Sequence, residues 1–359
     1  MIRMMRASQA PIGVDVGGRH IKAAQLARAS GGRRIEAAAS LPRSPRDPDD
    51  PRIHREDVRR LRDVLAARGF RGRRVVLAIP ADKLITGIME LPPRGSGAPI
   101  EQLARSELAR MHRHDPQSFE MACWDLPSPA RAGEATYVMA AACSHDDANA
   151  LLDLFENEGL AVKGLEIHAS AVARACGPVL DDVSGIVAIL DIGWNLANLA
   201  LLHQDAVVYE RKLGKGGIGP LVSAIARRCE LDAAIAERFL IEKGLDADGA
   251  DSAVTNGKVT PEAAQLARGA AIDYFNGTID EMRIPLSYLA NQYPDAAMER
   301  LIMVGGGARI PGLSDRLADE LDIEVRIAGA ADLAECTDDL DKEYGPALAT
   351  AIGLATFTE

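Results

Sequence analysis

The sequence predicts an α/β protein made of two related halves that face each other across a cleft. Three observations carry this. The stretch "VDVGGRHIKAAQL" (residues 14–26) reappears in pattern as "LDIGWNLANLALL" (residues 190–202). In each, an apolar strand ends on an acid (Asp15, Asp191), a glycine follows two places later (Gly17, Gly193), and a second strand runs back. The copies stand about half a chain apart, and each opens a run in which strands give way to helices, the pattern of the α/β class. A third apolar strand feeds a glycine cluster in "LIMVGGGARIPGL" (residues 301–313). At 359 residues the length allows roughly two domains.

The elements follow in order. Residues 12–26 read as two strands around the first turn, and 27–55, rich in Arg, Pro and Asp, as loop with one strand near Ile35–Ser40. Val58, Leu61, Val64 and Leu65 have helical spacing over 56–69, and "RRVVLAIP" is a buried strand closed by proline. Residues 82–160 read as a β–α–β–β–α block, compact enough to be an inserted subdomain, and 159–177 as a strand running into a helix. Residues 185–213 give three strands in succession, and 217–292 is helical around a linker near 246–258. The glycine cluster leads to a helix near Pro311; "IEVRIA" is a strand, 332–343 an acidic loop, and "GPALATAIGLATF" a closing helix.

Composition narrows the function classes. The chain is 47% hydrophobic and 26% charged, as an ordinary globular protein is. A net charge of −11 with 4% aromatics argues against a base-stacking nucleic-acid surface. No apolar run is long enough to span a membrane, and the N-terminus lacks a signal-peptide core. The five cysteines (Cys123, Cys143, Cys176, Cys229, Cys336) are odd in number and scattered, as expected for reduced thiols. His112 and His114 stand at i and i+2 on a helix end and do not share a face. The arginines crowded over 28–74 form a solvated face or a contact for anionic headgroups or an acidic partner.

The repeated turn has a chemistry. A strand-ending Asp holds magnesium, usually through water. A glycine two places on permits a tight turn whose N–H groups form an anion nest. Two copies on opposite walls would grip a polyphosphate and its Mg²⁺, with Asp15 and Asp191 toward the metal and Lys22 reaching the phosphates as a point charge. At the third cluster, Gly305, Gly306 and Gly307 let a flat ring or a phosphate approach the backbone. A dinucleotide fingerprint does not fit, because its last glycine would fall on Ile310.

Together these motifs resemble the actin-like ATPase superfamily, and within it the PilM family of type IV pilus assembly proteins. Asp15–Lys22 is similar to the first phosphate motif, Asp191–Asn195 to the second and Val304–Pro311 to the adenosine motif. "VVLAIPADKLITGIMELP", "KLGKGGIGPLVSAIARRCELDAAIAE" and "GPALATAIGLA" resemble further family stretches, so the likeness spans nearly the whole chain.

The resemblance implies two actin-like (ribonuclease H-like) domains around a nucleotide cleft, with an FtsA/PilM-type inserted subdomain. The first domain would take 10–81 and 161–182, the insertion 82–160, and the second domain 185–359, with a helical part at about 217–295. ATP with Mg²⁺ would meet Gly17, Gly18, Arg19, His20 and Lys22 from the first turn and Gly193, Trp194 and Asn195 from the second. Gly216, Gly217, Glu237, Gly305, Gly306, Gly307 and Arg309 would complete the site. The implied role is a scaffold at the inner face of the inner membrane. It would dock the N-terminal cytoplasmic tail of a PilN-like membrane protein, with other pilus motor or secretin-alignment components as further partners. Rival readings are a small-molecule kinase of the same superfamily and an FtsA-like or type II secretion-related assembly protein.

The sequence departs from the family pattern in places. Trp194 and Asn195 stand where Ser or Thr is usual, and Leu240 near an expected lysine. His168 stands where an acid is usual, two residues after Glu166, in the region that supplies the water-orienting acid of active relatives. ATP binding is therefore expected, and efficient hydrolysis is not.

Overall fold

The computed structural model describes residues 10–29, 32–44, 52–130, 133–246 and 259–357. The linker expected near 246–258 lies almost wholly outside them.

The first half begins with β1 (Ile12–Val16), β2 (His20–Ala29) and β3 (Gly32–Pro42), an antiparallel meander. β3 alternates buried and exposed residues through Ile35, Ala37, Ala39 and Leu41, as a half-buried edge strand does. It is longer than the strand expected from sequence, because the arginines at its start leave alternation visible only from Ile35 onward. Helix α1 (Arg55–Ala67) buries Val58, Leu61 and Leu65 and leads to β4 (Arg74–Ala78). The insertion holds β5 (Leu84–Leu91), α2 (Ile100–His112), β6 (Phe119–Asp125), β7 (Thr136–Ser144) and α3 (His145–Glu156). β8 (Ala161–Glu166) and α4 (His168–Cys176) complete the first half.

The second half repeats the plan with the strands β9 (Ile186–Ile192), β10 (Ala197–His203) and β11 (Ala206–Leu213). The helices α5 (Ile218–Arg228), α6 (Ala233–Glu242) and α7 (Pro261–Gln292) follow. Then come β12 (Met298–Val304), α8 (Leu313–Leu321), β13 (Glu324–Ile327), α9 (Ala330–Leu333), α10 (Asp338–Tyr344) and α11 (Ala349–Ala355).

Two five-stranded sheets result, ordered β3-β2-β1-β4-β8 and β11-β10-β9-β12-β13. β1 and β9 occupy matching places, each antiparallel to the next strand in sequence and parallel to the strand on its other side. The repeat seen in the sequence is therefore a repeat of topology: two actin-like domains. Between the sheets lie α4 and α11, and a shared core joins Val172 and Ile352 to Val187, Ile189 and Ile302. The approach is close: a methyl on Gly13 would sit 2.0 Å from the carbonyl oxygen of Ala351, and one on Gly353 would sit 1.9 Å from that of Ala171. The closing helix thus crosses from the second half to the first.

Two segments differ from expectation. The acidic stretch 332–343, expected as loop, carries two short helices. Asp338, Asp339 and Asp341 crowd the first turn of α10, where the helix dipole favours negative charge, and Thr337 caps it by accepting from Leu340 N–H. The helix expected near Pro311 starts at Leu313, after a 3₁₀ turn over Gly306–Arg309. Helix α3, at the end of the insertion, sends Leu151 and Phe155 into the core of the first sheet beside Leu61 and Leu77. The opposite end of the insertion docks on the second half: Leu126 and Met139 join its core, and Trp124 Nε1 donates to Val207 O at 2.9 Å.

Candidate functional site

The two Asp–x–Gly turns fold alike. Gly17 N–H closes the first by donating to His20 O at 3.0 Å, and Gly193 N–H closes the second by donating to Leu196 O at 3.1 Å. Asp15 then pairs across its hairpin with Lys22, and Asp191 across its own with Asn198. The turns meet: a methyl on Gly18 would sit 2.5 Å from Asn195 Nδ2.

The floor of this meeting point holds a balanced set of charges. Lys22 Nζ is 2.6 Å from Asp15 Oδ2. His168 Nε2, at the start of α4, is 2.8 Å from Asp191 Oδ2, and Thr350 of α11 donates to the same oxygen at 3.2 Å. These four side chains keep only 13–20% of their exposure, so each charge needs its partner. Burial alone would lower the pKa of His168, but the hydrogen bond and charge of Asp191 outweigh it and hold the imidazole above its usual value. Burial would raise Asp191, yet His168, Lys22 and Thr350 bring it below the usual carboxylate range. Lys22 is likewise raised against burial by Asp15 and then Asp191, so both carboxylates act on one ammonium. His20 is lowered by burial and by the neighbouring Arg19 and Lys22.

The walls come from the second half. Ile218 and Gly219 N–H, the start of α5, donate to Gly193 O and Trp194 O at 3.1 and 2.8 Å. Tyr274 OH on α7 accepts from Gly216 N–H at 3.0 Å and donates to Gly217 O at 2.9 Å, fixing that turn behind the second one. Gly305 takes φ +85°, a conformation side chains rarely adopt, and a methyl there would meet Asp191 Oδ1. Gly306 beside it borders open space. Arg19 forms an ion pair with Glu237 of α6.

This is a cleft between duplicated domains, with two acid-bearing turns and a glycine strand-end converging on it. The family model for the type IV pilus assembly protein PilM matches residues 13–358.

The chain belongs to the PilM family.

The fold of this PilM-family chain is similar to that of a chain in a PilM–PilN type IV pilus biogenesis complex. The two are 21% identical with a TM-score of 0.77, covering 96% of this chain and 97% of that one. It is similar also to the ethanolamine utilization protein EutJ from Carboxydothermus hydrogenoformans, 16% identical with a TM-score of 0.54, covering 98% and 91%.

Of the residues singled out on sequence, Asp15, Gly17, Gly18, Arg19, His20, Lys22, Asp191, Gly193, Trp194, Asn195, Gly216, Gly217, Glu237 and Gly305–Gly307 are brought together here. Arg309 is not: it turns to the acidic segment and donates to Lys342 O at 2.9 Å and Asp341 O at 2.6 Å. Two residues of the cleft floor were not foreseen. His168 stood out only as a departure from the family pattern and not as a site residue, and Thr350 is a polar residue in a helix of small and apolar ones, a signal that could have marked it. Glu166 is clamped by Arg174 through two hydrogen bonds of 2.6 and 2.5 Å. All five cysteines are free, and burial raises the Cys176 thiol to about 12. Of the crowded arginines, Arg55, Arg59 and Arg62 on α1 surround Glu158.

A magnesium ion would have to be held here largely by ligands other than the protein's. Among the described residues no three His, Cys, Asp or Glu side chains are grouped to hold a metal. Two carboxylates at facing strand ends suit an ion that keeps its waters and arrives with phosphate oxygens.

Proposed function

We propose that this PilM-family chain is an ATP-binding scaffold of type IV pilus assembly that docks the N-terminal tail of a PilN-like membrane protein. The observation that carries the reading is the family match over residues 13–358, on a fold whose duplicated acid turns converge in one cleft. The tail would place the protein at the inner face of the inner membrane. No helix among the described residues is long and apolar enough to cross a membrane, which is consistent with attachment through a partner. Other pilus motor or secretin-alignment components would join the same scaffold.

In the cleft, Lys22 and Arg19 would take phosphate oxygens, and Asp15 and Asp191 would hold Mg²⁺ through its water shell. The metal would supply charge neutralisation of the phosphates. Drawing Lys22 toward a phosphate leaves Asp15 with less compensation, so nucleotide binding depends on magnesium. Turnover would be slow: Glu166 is engaged by Arg174, and His168 is tied to Asp191 where active relatives carry an acid. The tail would dock in extended form beside the insertion, where β5 ends the three-stranded sheet β5-β7-β6 and strand addition supplies backbone hydrogen bonds.

The test is calorimetric titration of a PilN-tail peptide and of ATP, with and without Mg²⁺, and with phosphate release followed in parallel. Tail binding and magnesium-dependent ATP binding with little release are expected. A chain that binds neither would sink the proposal.

A further inference from the structure

One guanidinium spans the upper cleft. Arg19 leaves the first turn, lies 4.3 Å over the centre of the Trp194 ring in the second turn, and donates to Glu237 Oε1 on α6. Trp194 is seated on α5, where a methyl on Gly219 would sit 2.7 Å from its indole nitrogen. Gly18 abuts Asn195 just beneath. A side chain of the first half thus holds two elements of the second. The bridge is built to release: the Arg19 and Glu237 side chains are 41% and 23% exposed, and an ion pair so placed is weak. A single carboxylate also competes poorly with a polyphosphate, which offers more charge and the same two-pronged geometry to a guanidinium.

We propose that Arg19 is a phosphate-responsive latch: it bridges the two halves through Trp194 and Glu237, and a nucleoside polyphosphate opens the bridge by drawing the guanidinium onto its phosphates. The latch rests on the nucleotide reading above for its trigger, though the bridge itself does not. Arginine is required, because lysine would keep the charge and lose the flat stack on Trp194. Adenosine, which lacks phosphates, leaves the latch shut.

Trp194 reports the state of the bridge. The chain has two tryptophans, so Trp124→Phe leaves Trp194 as the sole emitter. In that background, Arg19→Ala without nucleotide should red-shift the emission and raise quenching by acrylamide, and Glu237→Gln should do so in part. ATP with Mg²⁺ should produce the same change in the Arg19 protein and none in Arg19→Ala, while adenosine produces none in either. Unchanged emission and quenching in Arg19→Ala would overturn the bridge. ATP that binds by calorimetry yet leaves Trp194 unchanged would overturn the phosphate response. Absence of ATP binding in every variant would instead sink the nucleotide reading, and the phosphate trigger with it, the nucleotide-free comparison still deciding the bridge. If Trp124→Phe fails to fold, 5-fluorotryptophan and fluorine NMR resolve the two indoles in the native sequence.

Discussion

At the residue scale, the cleft floor is governed by two ion pairs withdrawn from water, Lys22–Asp15 and His168–Asp191. Their pH dependence follows from sign. His168 is raised above its ordinary 6.5, so its contribution to stability is full below that value and is lost as pH rises through the folded pKa. Asp191 is lowered below its ordinary 3.8, so its contribution is present above that value and is lost as pH falls through the folded pKa. The difference in melting temperature between the wild type and His168→Gln should therefore be greatest between pH 3.8 and 6.5 and shrink on either side. A difference that stays flat from pH 4 to 9 would mean that His168 packs without charge. Sequence reading found Asp15, Lys22 and Asp191 because strand ends and short hairpin spacing are local. It missed the role of His168 because the pair joins positions 168 and 191 across the interface between halves, and no local period encodes that.

At the element scale, legibility follows the same division. The hairpins and the strand into Gly305–Gly307 were readable, since a central strand such as β9 is buried almost throughout and carries, one residue before its end, the one acid that interrupts its apolar run. The acidic helices α9 and α10 were not, because their capping side chains decide the outcome where hydrophobic period is weak. Nor was the crossing of α11 to the first half, which depends on a fit between distant backbones. That fit makes a prediction: Gly353→Ala places a methyl against the Ala171 carbonyl and should cost about 3 kcal/mol in denaturant unfolding, as overpacked helix contacts do. A neutral result would show that α4 and α11 sit further apart than the structure has them. A second prediction concerns the wall. Tyr274→Phe strips the partner from the buried Gly216 N–H and Gly217 carbonyl and should cost about 1–3 kcal/mol. Because the Gly216–Gly217 turn backs the second acid turn, it should also weaken ATP binding, which calorimetry would read separately from unfolding.

At the scale of the whole molecule, the insertion ties the cleft to the proposed docking surface. One end, α3, is built into the core of the first sheet, and the other rests on the second half through Trp124, Leu126 and Met139. Any change in the angle between the halves must therefore shear the insertion, and a tail lying beside β5 would sense it. Coupling of this kind is reciprocal: whatever factor ATP with Mg²⁺ applies to tail affinity, the tail applies to ATP affinity. Titrating the tail peptide into protein with and without saturating ATP, and ATP into protein with and without saturating tail, should give equal ratios different from one. Trp124→Ala, which cuts the hydrogen bond to Val207 and leaves the nucleotide turns untouched, should bring both ratios toward one while leaving ATP affinity in the absence of tail nearly unchanged. At a ligand excess of about 100 times Kd, ATP alone should stabilise that variant by about 2.7 kcal/mol, the same shift expected of the wild type. A Trp124→Ala protein that keeps the full coupling would show that the halves communicate by another route that spans them, such as the packing of α4 and α11 or the Arg19 bridge.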